Sequence, residues 1–353
     1  MLFLVAFFLI YLGTILAGLL ITNTIDQLFS EALYMSLTEI AMGVKTYHLF
    51  KHFYTIYHLH QVAISKDFQP VNEEESQLAR KLLWKVNFCY LLYQTWVVLI
   101  NLSAISLLFD GQYKLPYFSW VWGIPYGADV PYNYLFLWSY QVFGMFIHAI
   151  LNIIVESQVG YLLTVADLQL DFLARRFSKL TCSYGSTIEN LKYRELFIRF
   201  VQHYNNVNWF VRDIEHVYSK PMFAQFCASA ASICATAYRL SMVNLREDFS
   251  LVLTSSLYLL ALIYQIFLQC YFSNEVTLKS SRLTYALYSC EWYNLTSKNS
   301  KEIEMMMIRS QRPIRIMAGG LIYCDLKSLS STLNIAYSVF CVLQRRKQAP
   351  DHI

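Results

Sequence analysis

VNFCYLLYQTWVVLINLSAISLLF, residues 86–109, runs without a charge between Lys85 and Asp110. A helix needs about 20 mostly apolar residues to cross bilayer hydrocarbon, so this stretch reads as a membrane span. Four more stretches read the same way: 2–21 (LFLVAFFLIYLGTILAGLLI), 131–155, 221–238 and 249–274. Two weaker ones join them. Residues 29–50 are interrupted by Glu31, Glu39 and Lys45, and 328–344 (SLSSTLNIAYSVFCVLQ) are less hydrophobic. The expectation is an all-α membrane protein, a seven-transmembrane helix bundle within one domain, 1–353. A secretory signal peptide is the rival reading of 2–21, but the stretch lacks a basic start and its apolar run is long for one.

Composition agrees. Of 353 residues 56% are apolar and 15% charged, and mean hydropathy is +0.36. Soluble domains carry about 25% charge. This excludes a cytosolic enzyme, a disordered chain and a secreted disulfide scaffold. Scarce glycine (11) and proline (7) favour long helices over a turn-rich barrel. A net charge of +4 is too mild to point to nucleic acid. The eight cysteines show no paired spacing and read as reduced thiols on helices.

Orientation follows from Lys and Arg between spans, which concentrate on the cytoplasmic side. The 51–85, 156–220 and 275–327 connections hold five, eight and eight. The alternate connections 22–28, 110–130 and 239–248 hold none, one (Lys114) and two (Arg239, Arg246). The N-terminus is therefore expected inside and the C-terminus outside, although Arg345, Arg346 and Lys347 pull the other way. That orientation, with no Asp/Glu-Arg-Tyr or Asn-Pro-x-x-Tyr motif, excludes a rhodopsin-like receptor.

The cytoplasmic connections are patterned as helices. In 156–179, Leu162, Val165, Leu168, Phe172 and Phe177 recur near the helical period. In 187–219, Leu191, Phe197, Val201, Tyr204, Val207, Phe210 and Ile214 do the same, behind a Ser186–Glu189 capping box. Residues 276–297 continue the sixth span. Long cytoplasmic helical extensions are expected, bundled either within the chain or as a subunit-assembly platform. The outer 110–130 connection, rich in Trp, Tyr and Pro, reads as an interfacial aromatic belt or as a lid over a cavity.

Motifs for chemistry are absent: no HExxH, no Gly-x-Ser-x-Gly, no phosphate-cradling loop. An enzyme is not expected, nor a cofactor. His48 and His52 have an i,i+4 metal spacing, but with His58 and His60 they read as a solvated helix face, so no metal is assigned. Glu39 is an intramembrane carboxylate that must face protein or water; a Tyr or Ser partner is expected over an ion site. The sequons at Asn101 and Asn294 fall within the membrane and in the cytoplasm, so neither is expected to carry glycan.

Several separated stretches resemble insect odorant receptors. GIPYGADVPYNYLFLWSYQ (123–141) is similar to the start of their fourth helix, and ESQVGYLLTVADLQLDFLARRFSKL (156–180) to its extension. The 269–295 stretch resembles the end of their sixth helix, with Tyr285, Ser289, Trp292 and Tyr293. RPIRIMAGGLIYCDLKSLSSTLNIAYSVFCVL (312–343) is similar to their seventh-helix signature, from Ala318-Gly319 to Tyr337-Ser338. The chain departs from the pattern at Gly320, where the family often has a basic residue, and in its basic tail. It also begins inside the first span, so a truncated start is expected.

The resemblance implies an odorant receptor at the plasma membrane of an olfactory neuron dendrite. It implies a heterotetramer with the odorant receptor co-receptor subunit that forms a non-selective cation channel gated by a small volatile ligand. The implied ligand cavity lies in the outer half of 22–155 and 221–274. Its candidate residues are Tyr34, Thr38, Trp96, Leu99, Ser103, Trp138, Gln141, Met145, Tyr238 and Tyr258. The implied cytoplasmic anchor comes from 156–220 and 275–327, with Trp292, Tyr293 and 302–316 as assembly residues. The implied pore helix is 328–344, with Ser338, Val342, Gln344 and Arg346 at the lumen. A gustatory-type receptor channel would end with a Thr-Tyr…Gln-Phe pattern, and a transporter would show internal repeats; neither is visible.

Overall fold

The computed structural model describes residues 2–21, 33–106, 113, 115, 121–127, 129–179, 187–242, 249–290 and 292–348. These form helices α1 (Leu2–Ile21), α2 (Leu33–Lys51), α3 (Phe53–Ile64), α4 (Glu73–Ser106), α5 (Pro131–Ser178), α6 (Thr187–Met242), α7 (Phe249–Tyr288), α8 (Ser297–Ser310) and α9 (Leu326–Gln348). Between α8 and α9 sits a small hairpin of β1 (Met317–Ala318) and β2 (Ile322–Tyr323), antiparallel with Met317 opposite Tyr323.

Helix length sets the architecture. At 1.5 Å per residue, 48-residue α5 runs about 72 Å and 56-residue α6 about 84 Å, against about 30 Å of hydrocarbon. Most of each lies beyond any membrane core. Proline at the first position starts α5, and Arg175 and Arg176 in its last turn complement the dipole. Pro221 lies inside α6. Among the described residues, the helical stretches Glu73–Ser103, Pro131–Ser178 and Val252–Tyr288 are apolar and long enough to cross a membrane, and Leu9–Gly18 is a shorter apolar stretch. α2, α6 and α9 dilute their apolar residues with polar ones, several paired inside the protein.

The core is continuous through the helices. α5 packs on α4, α6 and α7, α2 packs along α6, and α9 lies against α6 and α7. Tyr11 of α1 is fully buried, its ring edge-on to His148 at 4.7 Å. It fits only because position 144 is glycine: a Cβ there would come 2.2 Å from the Tyr11 ring. The extensions pack as patterned, with Leu162, Val165, Leu168, Phe172, Phe177, Phe197, Tyr204, Val207, Phe210 and Ile214 all buried. α7 stops at Tyr288, earlier than the expected 297, and a short 3₁₀ turn (Trp292–Asn294) and α8 follow. The Ser186 cap lies outside the described residues.

Candidate functional site

Four helices line a cavity of about 60 Å³. α2 contributes Thr38, Glu39 and Met42; α4 contributes Tyr93, Val97, Ile100 and Asn101. α5 contributes Met145, His148, Ala149 and Asn152; α7 contributes Tyr258, Ala261, Leu262 and Gln265. Each set contains residues three and four apart, the spacing that puts them on one helix face. The walls are mainly apolar, with hydroxyls, amides and one carboxylate among them. Thr38 Oγ1 and Tyr258 Oη lie 3.0 Å apart and join α2 to α7.

A polar ladder runs along one face of α5, from buried Gln141 past the cavity-lining His148 and Asn152 to buried Glu156. Glu39 Oε2 lies 2.5 Å from His148 Nδ1. The partner is a histidine rather than the expected Tyr or Ser, because α2 and α5 cross at that level. Lys45 Nζ donates to Asn152 Oδ1 at 2.7 Å and to Glu156 Oε1 at 2.5 Å. Gln265 Nε2 donates to the same Glu156 oxygen, and Tyr90 Oη donates to the Glu156 carbonyl at 2.8 Å. Gly160 leaves room for Tyr90, since a Cβ there would meet its hydroxyl at 2.4 Å. A charge buried this deeply persists only when paired, and here Lys45 and Glu156 meet each other and one amide each, Asn152 and Gln265.

Of the ten ligand candidates read from sequence, Thr38, Met145 and Tyr258 line the cavity. Gln141 is fully buried one turn above Met145, and its carbonyl accepts from Tyr11 at 3.2 Å. Trp96 stacks on Tyr264 at 5.8 Å. Ser103 Oγ lies 3.0 Å from Thr254 Oγ1. Trp138 is half-buried, and its Nε1 has no partner among the described residues. Tyr238 is buried on α6, which does not line the cavity. Leu99 is exposed. The Tyr34 side chain lies outside the described residues. The sequence reading did not select His148, Asn152, Glu156, Gln265 or Tyr93. Polar residues at helical spacing inside apolar runs were the signal for them.

Much of the aromatic 110–130 connection lies outside the described residues. Trp122 caps α1 and α5, its Nε1 donating to Thr14 Oγ1 at 2.8 Å and its ring 5.4 Å from Tyr140.

On the other side, Glu75 pins α4 to α5. Arg176 donates to both of its oxygens at 2.8 and 2.7 Å, and the Val71 N–H adds a third bond at 2.8 Å. Burial acts to raise the Glu75 pKa, but these donors outweigh it and the net shift is downward. Burial lifts Asp167 to about 7 and lowers His203 to about 4. The solvated face expected for the histidines holds at His58, which is exposed, but not at His48. His48 is buried and stacks on His52 at 5.8 Å, and His52 meets His216 edge-on at 5.2 Å, because α2 packs along α6 there.

Glu215 and Ser219 of α6 hold the hairpin. Met317 N–H donates to Glu215 Oε1 at 2.9 Å, and Ser219 Oγ donates to the Met317 carbonyl at 2.6 Å. Gly319 and Gly320 both take positive φ (60° and 69°), which glycine adopts without steric penalty. On α8, Ile303 and Met306 face inward while Met305 and Ile308 are exposed. Trp292 packs on the core and Tyr293 is exposed. On α9, Val342 and Ser338 are exposed and Gln344 half-buried; the Arg346 side chain lies outside the described residues.

The sequence profile of the family described as 7tm Odorant receptor matches residues 27–337. Odorant receptor 94a of Drosophila melanogaster is 25% identical over 339 residues, covering 94% of this chain and 84% of its own length. Odorant receptor 2a of the same fly is 27% identical over 352 residues, covering 95% and 86%. The solved structure of the insect olfactory receptor OR5 from Machilis hrabei in complex with eugenol has the same fold. Its TM-score is 0.84 at 17% identity, over 97% of this chain and 88% of that one. The structure of that receptor described without eugenol gives 0.78 at 16% identity.

Proposed function

The chain belongs to the 7tm odorant receptor family, and from that premise we propose that it binds a small volatile in the α2–α4–α5–α7 cavity and thereby gates a cation channel. It is a helical membrane protein. The observation that carries the ligand reading is a cavity among four helices whose surface is mainly apolar and into which several polar side chains converge, the usual make-up of a small-molecule site. Burial and dispersion supply affinity there, and one or two hydrogen bonds supply orientation.

The chain crosses the plasma membrane seven times with its N-terminus in the cytoplasm; the Lys and Arg distribution supports this orientation. It works as a heteromer with the odorant receptor co-receptor. The exposed apolar residues of α8 and the exposed Tyr293 are its assembly surface, supported by the exposure of Met305 and Ile308. α9 contributes to the pore through Ser338, Val342, Gln344 and Arg346. The ladder, which reaches the cavity wall through Glu39, His148, Asn152 and Gln265, links α2, α4, α5 and α7, so a ligand that shifts one helix disturbs all four.

Coexpression with the co-receptor, while recording whole-cell current under a panel of volatiles, tests the reading. A volatile-evoked cation current that needs both chains is expected. Equal current without this chain, or none with it at the cell surface, refutes it.

A further inference from the structure

We infer that the cavity ligand is a short-chain primary amine whose ammonium group pairs with Glu39; this rests on the receptor reading above. Glu39 is buried and lines the cavity. Among the described residues, its hydrogen bonding comes down to the contact between Oε2 and His148 Nδ1, which leaves Oε1 open. Lys45, the cation nearest in the ladder, is already committed to Asn152 and Glu156. The cavity wall and ladder carry two carboxylates, Glu39 and Glu156, and one ammonium, Lys45, which sits on Glu156. A buried carboxylate with an open oxygen is unfavourable, and a small cation relieves it.

Size and lining fix the rest of the ligand. A volume of about 60 Å³ takes roughly four to six water-sized groups. Val97, Ile100, Met42 and Leu262 offer a hydrocarbon wall for a short alkyl tail. A carboxylic acid would meet Glu39 with like charge. Esters and ketones bring acceptors only and leave Oε1 unpaired. An alcohol donates one hydrogen bond but no charge, and charge-assisted bonds are roughly twice as strong as neutral ones.

The test compares n-butylamine, 1-butanol and methyl propionate on cells expressing this chain with the co-receptor, against cells with the co-receptor alone. We expect n-butylamine to act at a concentration at least tenfold below that of 1-butanol. Glu39→Gln should erase that gap by weakening the amine response at least tenfold more than the alcohol response. If alcohol or ester drives the channel as well as the amine, the Glu39 inference falls and the receptor reading stands. If no volatile of any class evokes current with the chain at the surface, the receptor reading fails and takes the inference with it. Should Glu39→Gln not reach the surface, the wild-type amine-to-alcohol ratio decides alone.

Discussion

Replacing Lys45 by methionine leaves the Glu156 carboxylate without a cation. Both side chains of the pair are nearly inaccessible, at 2% and 1% exposure, and no solvent is at hand to take over. Breaking a buried pair from one side costs about 3–5 kcal/mol. Total stabilities run about 5–15 kcal/mol, so the single variant gives up a large share. At about 1.4 kcal/mol per decade, the unfolded population should rise by about two to three and a half orders of magnitude. The double variant Lys45→Met/Glu156→Met removes both charges and keeps apolar volume. It should recover most of the loss. A residue of about 1–3 kcal/mol should persist, since the Gln265 and Asn152 amides lose their partners. The assay is heating of detergent-solubilised, fluorescently tagged receptor before size-exclusion chromatography, with surface biotinylation alongside. A Lys45→Met variant as heat-resistant as wild type, or a double variant no better than the single, would refute the reasoning.

Gly144→Ala should destabilise by about 1–3 kcal/mol through overpacking on Tyr11, and Tyr11→Leu in the same chain should recover part of it; melting curves of the two variants decide. Asp167 has a folded-state pKa raised by burial to about 7, above its unfolded value. Its protonated form therefore stabilises the fold below about pH 4, and that contribution is lost as pH rises to about 7. Asp167→Asn should thus raise the melting temperature at pH 8 and leave it little changed at pH 4. Gly319→Ala should loosen the hairpin, since its φ is +60° and a Cβ would come 2.8 Å from Phe223; limited proteolysis near residue 320 would read this. Val342→Glu should change ion selectivity of the heteromer, and unchanged reversal potentials with normal assembly would remove Val342 from the pore.

Helical period was readable in the sequence wherever an apolar stripe met a packed neighbour. Phe172, Phe177, Phe210 and Ile214 are buried as their spacing indicates, and α5 and α6 run on past the apolar spans without a break. The end of α7 was not readable, since residues 289–297 carry no strong stop signal before the 3₁₀ turn. Nor was the hairpin: two-residue strands have no usable alternation, and α6 holds them in place through Glu215 and Ser219.

For the site, the sequence alone marked Glu39 as too polar to face lipid and Lys45 as an interruption of the same span, but it did not single out His148, Glu156 or Gln265. Transfer free energy is a property of each side chain, so it shows without coordinates. Who partners whom was decided only by tertiary structure. Glu39 meets His148 across 109 residues, and Lys45 meets Glu156 across 111. Those pairings depend on the rotation and crossing level of α2 against α5, which no local pattern encodes. The same geometry puts Thr38 and Tyr258 on one cavity and leaves Leu99, from an equally apolar helix, facing outward.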